Sequence, residues 1–163
     1  MVDIKIIGDP EIGISEDRLK YVYRIFFNNM IEIEKGNDGY PSCIIFEGNG
    51  VLPLMFKPEN DEYKNKLKRV VKAICKELDA DFAVFVVSAW IAVTKDPDYS
   101  KKMRPINDPN RQEALTIMIC AADGRSAFLS AAYTHKKNKV IFEKEAKWIN
   151  SDDSIASMIS AWR

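Results

Sequence analysis

The sequence predicts an α+β fold in which an antiparallel β-meander packs against two long helices and a short C-terminal helix, in one domain spanning residues 1–163. Three features point there. Phe82–Thr94 and Glu113–Ala122 are apolar at odd and even positions alike, so both faces of each strand must be kept from water. Two stretches, after Ser15 and after Asn60, repeat apolar residues at helical spacing. The strands beyond residue 113 are separated by turns so short that consecutive strands must run antiparallel.

Composition removes several classes. With 163 residues, 47% of them hydrophobic and 29% charged, a chain of this size buries roughly 68–70% of its unfolded surface and needs neither metal nor disulfide to hold a core. Lys plus Arg and Asp plus Glu both number 24, which argues against nucleic-acid binding driven by overall charge. No apolar run approaches the roughly 18 residues that cross a bilayer, and Met1–Gly8 lacks the basic start and apolar run of a secretory signal. Cys43, Cys75 and Cys120 are far apart in apolar surroundings and read as buried free thiols in a reducing compartment. A cytoplasmic location without membrane contact is expected.

Val2, Ile4 and Ile6 alternate with polar residues in a short edge strand that Gly8-Asp9-Pro10 ends. Ser15 caps the first long helix, Glu16 and Asp17 set negative charge at the positive end of its dipole, and Gly36 stops it. Leu19, Val22, Tyr23, Phe26, Met30 and Ile33 share one face, widened by Phe27 and Ile31; the stripe reads as core rather than as a ligand pocket. Pro41–Glu47 and Val51–Lys57 form a hairpin around Gly48-Asn49-Gly50, with Asn49-Gly50 in the tight turn. Pro53, lacking an N–H, puts the second of these strands at an edge or a bulge.

The second helix, from about Asn60 to Leu78, buries Tyr63, Leu67, Val70, Val71, Ile74, Cys75 and Leu78. Its other faces carry Lys64, Lys66, Lys68, Arg69, Lys72 and Lys76, a pattern that usually marks a solvated surface. Asp123-Gly124 and Lys136–Lys139 mark turns, and Val140–Trp148 is the last strand. Asp152, Asp153 or Ser154 then caps a short helix whose Ile155, Met158, Ile159 and Trp162 share a face. Trp162 needs a pocket in this chain or another. Two long helices are few for the two faces of the central strands, which points to self-association or a protein partner.

The connection Lys95–Gln112 exceeds the roughly 12–15 residues above which structureless loops in compact domains are uncommon unless functional or disordered. Trp90 lies near the end of the strand entering it, Arg111 follows the rigid Asp108-Pro109 turn, and Glu113 starts the next strand. These residues converge where the loop leaves the sheet. Arg104, Asp108, Arg111 and Glu113 make either an ion-pair network that pins the loop or the polar part of a recognition site. The candidate binding residues are therefore Trp90, Arg104, Asp108, Arg111 and Glu113.

Recognisable catalytic motifs are mostly missing. A single histidine, His135, rules out the two-histidine zinc protease motif, and the zinc deaminase cysteine pair, the phosphate-binding loop, the dinucleotide fingerprint and the Gly-x-Ser-x-Gly elbow are absent. Glu145-Ala146-Lys147, with Glu143, has the acid-x-Lys spacing that aims a carboxylate and an amine from one strand face toward a metal. Exposed strands produce that spacing by chance. His135, beside Lys136 and Lys137, reads as a solvated or hydrogen-bonded turn residue rather than a catalyst. Asp96, Asp98 and Asp108 fit no calcium loop. Neither a metal nor a cofactor is expected.

Phe85-Val-Val-Ser-Ala-Trp90, followed by Pro105-Ile-Asn-Asp-Pro-Asn-Arg-Gln-Glu-Ala-Leu115, resembles a pattern in uncharacterised proteins of microbes and their viruses. There an aromatic-rich strand ends in Ser-Glu-Ala-Trp, and Pro-x-x-Asp-Pro-x-Arg-x-Glu-Ala-Leu follows. The present chain departs from it at Ser88, where the pattern has an acid. The resemblance implies a phage or mobile-element origin and brings no activity with it. The function expected is non-catalytic binding or interaction through the 95–112 loop and Trp90. The alternatives are a metal-dependent phosphodiesterase or nuclease, and a nucleic-acid-binding accessory protein that uses the basic helix face.

Overall fold

A computed structural model describes residues 3–56, 61–92, 102–103, 107–151 and 159–163. In chain order these form β1 (Lys5–Ile7), α1 (Glu16–Glu34), β2 (Ser42–Glu47), β3 (Gly50–Met55), α2 (Asp61–Leu78), β4 (Phe82–Ile91), β5 (Gln112–Ala121), β6 (Ser126–Lys136), β7 (Lys139–Phe142) and β8 (Glu145–Ser151). The strands make one sheet in the order β1-β8-β6-β5-β4-β2-β3, with β7 pairing the far end of β6. The α+β class read from the sequence holds. The short helix expected at the C-terminus falls largely on residues 152–158, outside the described residues, as does Arg104.

The β4–β5 ladder pairs Phe82 with Ala121 and continues to Ile91 with Gln112. Both of its faces are covered along the inner half. On one face α1 presses Val22, Phe26, Met30 and Ile33 against Val84, Val86, Leu115, Ile117, Leu129 and Trp148. Phe26 and Met30 have no exposed surface, and burying such side chains contributes about 1.5–3 kcal/mol each. The α1 stripe is thus core, as its pattern predicts. On the opposite face α2 and the C-terminal residues cover Cys43, Ile45, Ala83, Phe85 and Cys120 with Val71, Cys75, Ile159 and Trp162. Trp162 finds its pocket within this chain, where its indole N–H donates to the Ala80 carbonyl at 2.8 Å.

The α2 stripe is narrower than its periodicity implies. Val71 and Cys75 are buried and Leu67 and Ile74 pack partly against them, whereas Tyr63, Val70 and Leu78 are exposed. The three cysteines are buried and form no disulfide. Burial pushes the Cys75 thiol up to about 11, and that of Cys43 higher still, so both stay neutral and behave as small hydrophobes.

Local chemistry accounts for the turns, with one shift. Glu47 pairs with Gly50, which leaves Gly48-Asn49 in the two-residue turn rather than Asn49-Gly50. Gly48 takes φ 50, the first-position glycine that a type II′ turn demands. Lys137 and Asn138 both have positive φ, giving the β6–β7 hairpin a type I′ turn. Pro53 lies on edge strand β3. Phe56 N–H bonds the Pro41 carbonyl at 3.2 Å, so alternate residues from Phe56 donate inward and Pro53 belongs to the outward row. Its missing N–H blunts the edge without costing the β2 ladder a bond.

Two departures concern the ends of the sheet. β1 joins β8 in parallel: its alternating Ile4 and Ile6 both pack on the α1-side core, but alternation says nothing of a strand's neighbour or direction. The single strand expected at Val140–Trp148 is two, because Glu143 and Lys144 break it. Tyr133 pairs with Phe142 while Leu129 pairs with Trp148, so the break inserts two residues against β6. An even insertion preserves side-chain parity, and Val140, Phe142, Ala146 and Trp148 all stay on the α1 side.

At the β4 start, the Asp81 carboxylate accepts from Arg18 at 3.2 Å and from Arg163 at 3.1 Å. Partial burial opposes its charge, but the two guanidinium bonds outweigh it and hold its pKa below the ordinary 3.8. A lowered folded-state pKa means that this charge stabilises the fold above the unfolded-state value and that the gain is lost as pH falls through the folded one. Asp81→Asn should therefore lower the melting temperature at pH 7, with the deficit closing below about pH 4. Thermal unfolding followed by circular dichroism across pH 2–7 checks this; a deficit that persists undiminished at pH 2 would contradict it.

Candidate functional site

α1 ends before the strands beneath it do. Gly36, at φ 88, turns the chain so that Asn37 N–H reaches back to the Glu32 carbonyl at 3.0 Å, a left-handed stop that L side chains disfavour. The chain then returns through Asp38–Pro41 to β2. Asn29, only 3% exposed, ties this return to the helix: its Oδ1 accepts from Tyr40 N–H at 2.6 Å and its Nδ2 donates to the Tyr40 carbonyl at 3.3 Å. A Cβ on Gly39 would meet Asn29 Oδ1 at 3.1 Å, so the clasp uses the absence of a side chain there.

Between this wall and the uncovered ends of β4, β5 and β6 lies an open groove of about 770 Å³, a volume typical of ligand sites. Ile33, Val86 and Leu115 form an apolar floor, and Ser88, Glu113, Tyr133 and His135 gather at the open end. Strand parity puts these four on the α1 side, because Val86 and Leu115 face α1 and every second residue follows. Register brings them together. Glu113 pairs with both Trp90 and Tyr133, and His135 Nε2 stands 3.1 Å from Glu113 Oε2.

Burial raises the Tyr133 phenol above its ordinary pKa; Ser88 acts to lower it, and Glu113 and Asp38 to raise it. Tyr133 therefore keeps its proton at neutral pH and serves as a hydrogen-bonding group rather than a base. The histidine's partner is Glu113, not Ser88, so a serine nucleophile and its base are not assembled.

Trp90, Asp108 and Arg111 form the rim beside this groove. The Arg111 guanidinium lies 4.5 Å from the centre of the Trp90 ring, a cation–π stack. Asp108 builds the turn that leads there: its Oδ1 accepts from Asn110 N–H at 2.8 Å and its carbonyl from Arg111 N–H at 3.2 Å. Glu113 turns into the groove. Four of the five residues predicted from the sequence are thus placed, and Arg104 lies outside the described residues.

His135, expected to be a solvated or hydrogen-bonded turn residue, is exposed yet bonded to Glu113. Sequence reasoning missed Ser88, Tyr133, Asp38 and Asn29 as site residues. Counting by twos from Trp90 reaches Ser88, and from His135 reaches Tyr133, but only the cross-strand register joins the pairs.

The other candidate surfaces are elsewhere. Glu145 and Lys147 pair with Lys5 and Ile7 of β1, beside the opposite end of β6, and Glu143 sits in the strand break. Among the described residues no cluster of three or more His, Cys, Asp or Glu could hold a metal ion. On α2, Lys72 Nζ donates to the Ser160 hydroxyl, while Lys64, Lys66 and Arg69 are exposed. No helix among the described residues is long and apolar enough to cross a membrane.

The family model described as Bacteriophage lambda protein ea47 matches residues 12–163. The chain belongs to the phage lambda Ea47 family. A phage-borne family agrees with the phage or mobile-element origin implied by the resemblance at Phe85–Trp90 and Pro105–Leu115. Neither the search of curated proteins nor the search of solved structures returns a match. The Ea47-family match includes every residue of the groove and its rim.

In this Ea47-family chain the Asn29 clasp yields a stability prediction. Asn29→Ala leaves the Tyr40 N–H without its side-chain partner, while the Tyr40 carbonyl keeps the bond from the Ser42 hydroxyl at 3.0 Å, and should cost about 1–3 kcal/mol. Chemical denaturation measures that loss, and hydrogen exchange should show Tyr40 losing protection while the β4–β5 amides keep theirs.

Proposed function

We propose that this Ea47-family chain is a non-catalytic binding protein whose groove, with its Trp90–Arg111 rim, receives a segment of a protein partner. The observation that carries this reading is the groove's composition: an apolar floor, hydrogen-bonding groups at one end, and projecting lips. Tyr40 and Met55 flank it at 58% and 70% exposure, and apolar surface of that size standing in water at the mouth of a concavity is what a partner would cover. Trp, Tyr, Met and Arg are also the residue types enriched where protein interfaces concentrate their energy. The same features argue against turnover, since the groove holds a neutral phenol and a carboxylate-bound histidine but no paired nucleophile and base.

The test is capture of a partner from phage-infected host extract on immobilised protein, with three variants run in parallel. Ser88→Trp fills the groove and should abolish recovery of a partner that wild type retains, and Arg111→Ala should reduce it at least five-fold. Lys66→Glu on α2 should change nothing, and circular dichroism must show all three folded. Undiminished capture by folded Ser88→Trp would remove the groove from the function, and loss confined to Lys66→Glu would move it to the basic helix face.

A further inference from the structure

We infer that the groove recognises a cationic segment: an extended stretch of the partner with an apolar side chain followed two residues later by Lys or Arg. The inference rests on the groove being the binding site and adds the chemistry of what enters. Its lining carries two carboxylates, Glu113 at the open end and Asp38 on the wall, against one basic group, His135. Among the described residues Asp38 makes no ion pair, so its charge is not neutralised within this part of the chain. Both line the same groove as the buried Tyr133, and both act to raise the pKa of its phenol. A cation placed there gains from both, and an anion is repelled by both.

Spacing completes the match. Leu115 of the floor and Glu113 at the end are two residues apart on one strand face, about 6–7 Å. That is also the separation of side chains i and i+2 on an extended segment. An apolar side chain seated over Leu115 therefore delivers the side chain two positions on to Glu113. The Tyr133 ring, buried against Phe142 at 5.0 Å and in edge contact with His135 at 6.0 Å between centroids, lines the groove beside the same position.

The probes are two capped peptides, acetyl-Gly-Leu-Gly-Lys-Gly-amide and acetyl-Gly-Leu-Gly-Glu-Gly-amide, titrated into the ¹⁵N-labelled full chain at fixed ionic strength. The lysine peptide should shift the amides of Val87, Leu115 and Tyr133 along saturating curves, with the glutamate peptide at least ten-fold weaker. Glu113→Gln should shrink that gap several-fold while leaving the spectrum of the remaining fold in place, and Asp38→Asn should shrink it further. Equal binding of the two peptides in the groove overturns the charge assignment and leaves the proposed groove standing. Saturating shifts at other residues, or none from either peptide, overturn the inference; the groove itself then stands or falls with the Ser88→Trp capture result.

Discussion

The β4–β5 ladder must be dry on both faces along its inner half, and the rest of the molecule follows from that demand. Phe85 and Val84 point to opposite sides of one strand and neither has exposed surface. One helix cannot satisfy both. α1 therefore takes one face and α2, with Ile159 and Trp162, takes the other, while the neighbouring strands extend the sheet far enough to support each layer. The hydrophobic term fixes which segments lie inside, but it says little about the polar groups at the strand ends, where water begins.

Those two ends are resolved differently. Where β4 begins, charges are paired: Asp81 lies between Arg18 and Arg163, Arg163 also binds Asp79 at 2.7 Å, and Asp123 binds Arg125 at 2.8 Å. A second, smaller concavity there has Arg18, Asp81, Asp123, Arg125 and Arg163 in its lining, and these charged groups are already bonded to each other. Where β4 ends, the sheet outruns α1, and the side chains that continue the buried rows turn polar: Val86 gives way to Ser88, and Leu115 to Glu113. The Asn29 clasp holds the opposing wall open rather than letting the loop collapse onto those residues. Closure of the fold and exposure of a usable surface are thus assigned to opposite ends of one ladder.

Much of this was legible in the sequence because it depends on period and on single-residue chemistry. The two-sided apolar strands, the α1 stripe from Val22 to Ile33, the Ser15 cap and the edge position of Pro53 each follow from properties a residue carries with it. What the sequence left dark depends on relations between segments. The parallel seat of β1 on β8, the shift of the turn to Gly48-Asn49 and the two-residue break at Glu143-Lys144 are matters of register, to which a residue list is blind. The site divides along the same line. Trp90, Asp108, Arg111 and Glu113 are near in sequence or flank one loop, whereas Ser88, Tyr133 and His135 join them only through pairing across three strands. The α2 stripe erred the other way: its helical spacing was real, but Tyr63, Val70 and Leu78 stay exposed.

Position 88 shows how register gives meaning to a single residue. The ladder puts Ser88 in the groove, on the same face as Glu113 and against the Tyr133 hydroxyl. An acid at 88 would add a second carboxylate to the open end, and two like charges in a half-buried volume raise the pKa of one of them. Such a site would hold a proton or a divalent cation between its acids. With Ser88 the end keeps one carboxylate, hydrogen-bonded to His135, and a phenol that retains its proton. An acid in place of Ser88 would therefore alter what the groove can hold rather than disturb the core, because position 88 lies beyond the buried part of its row.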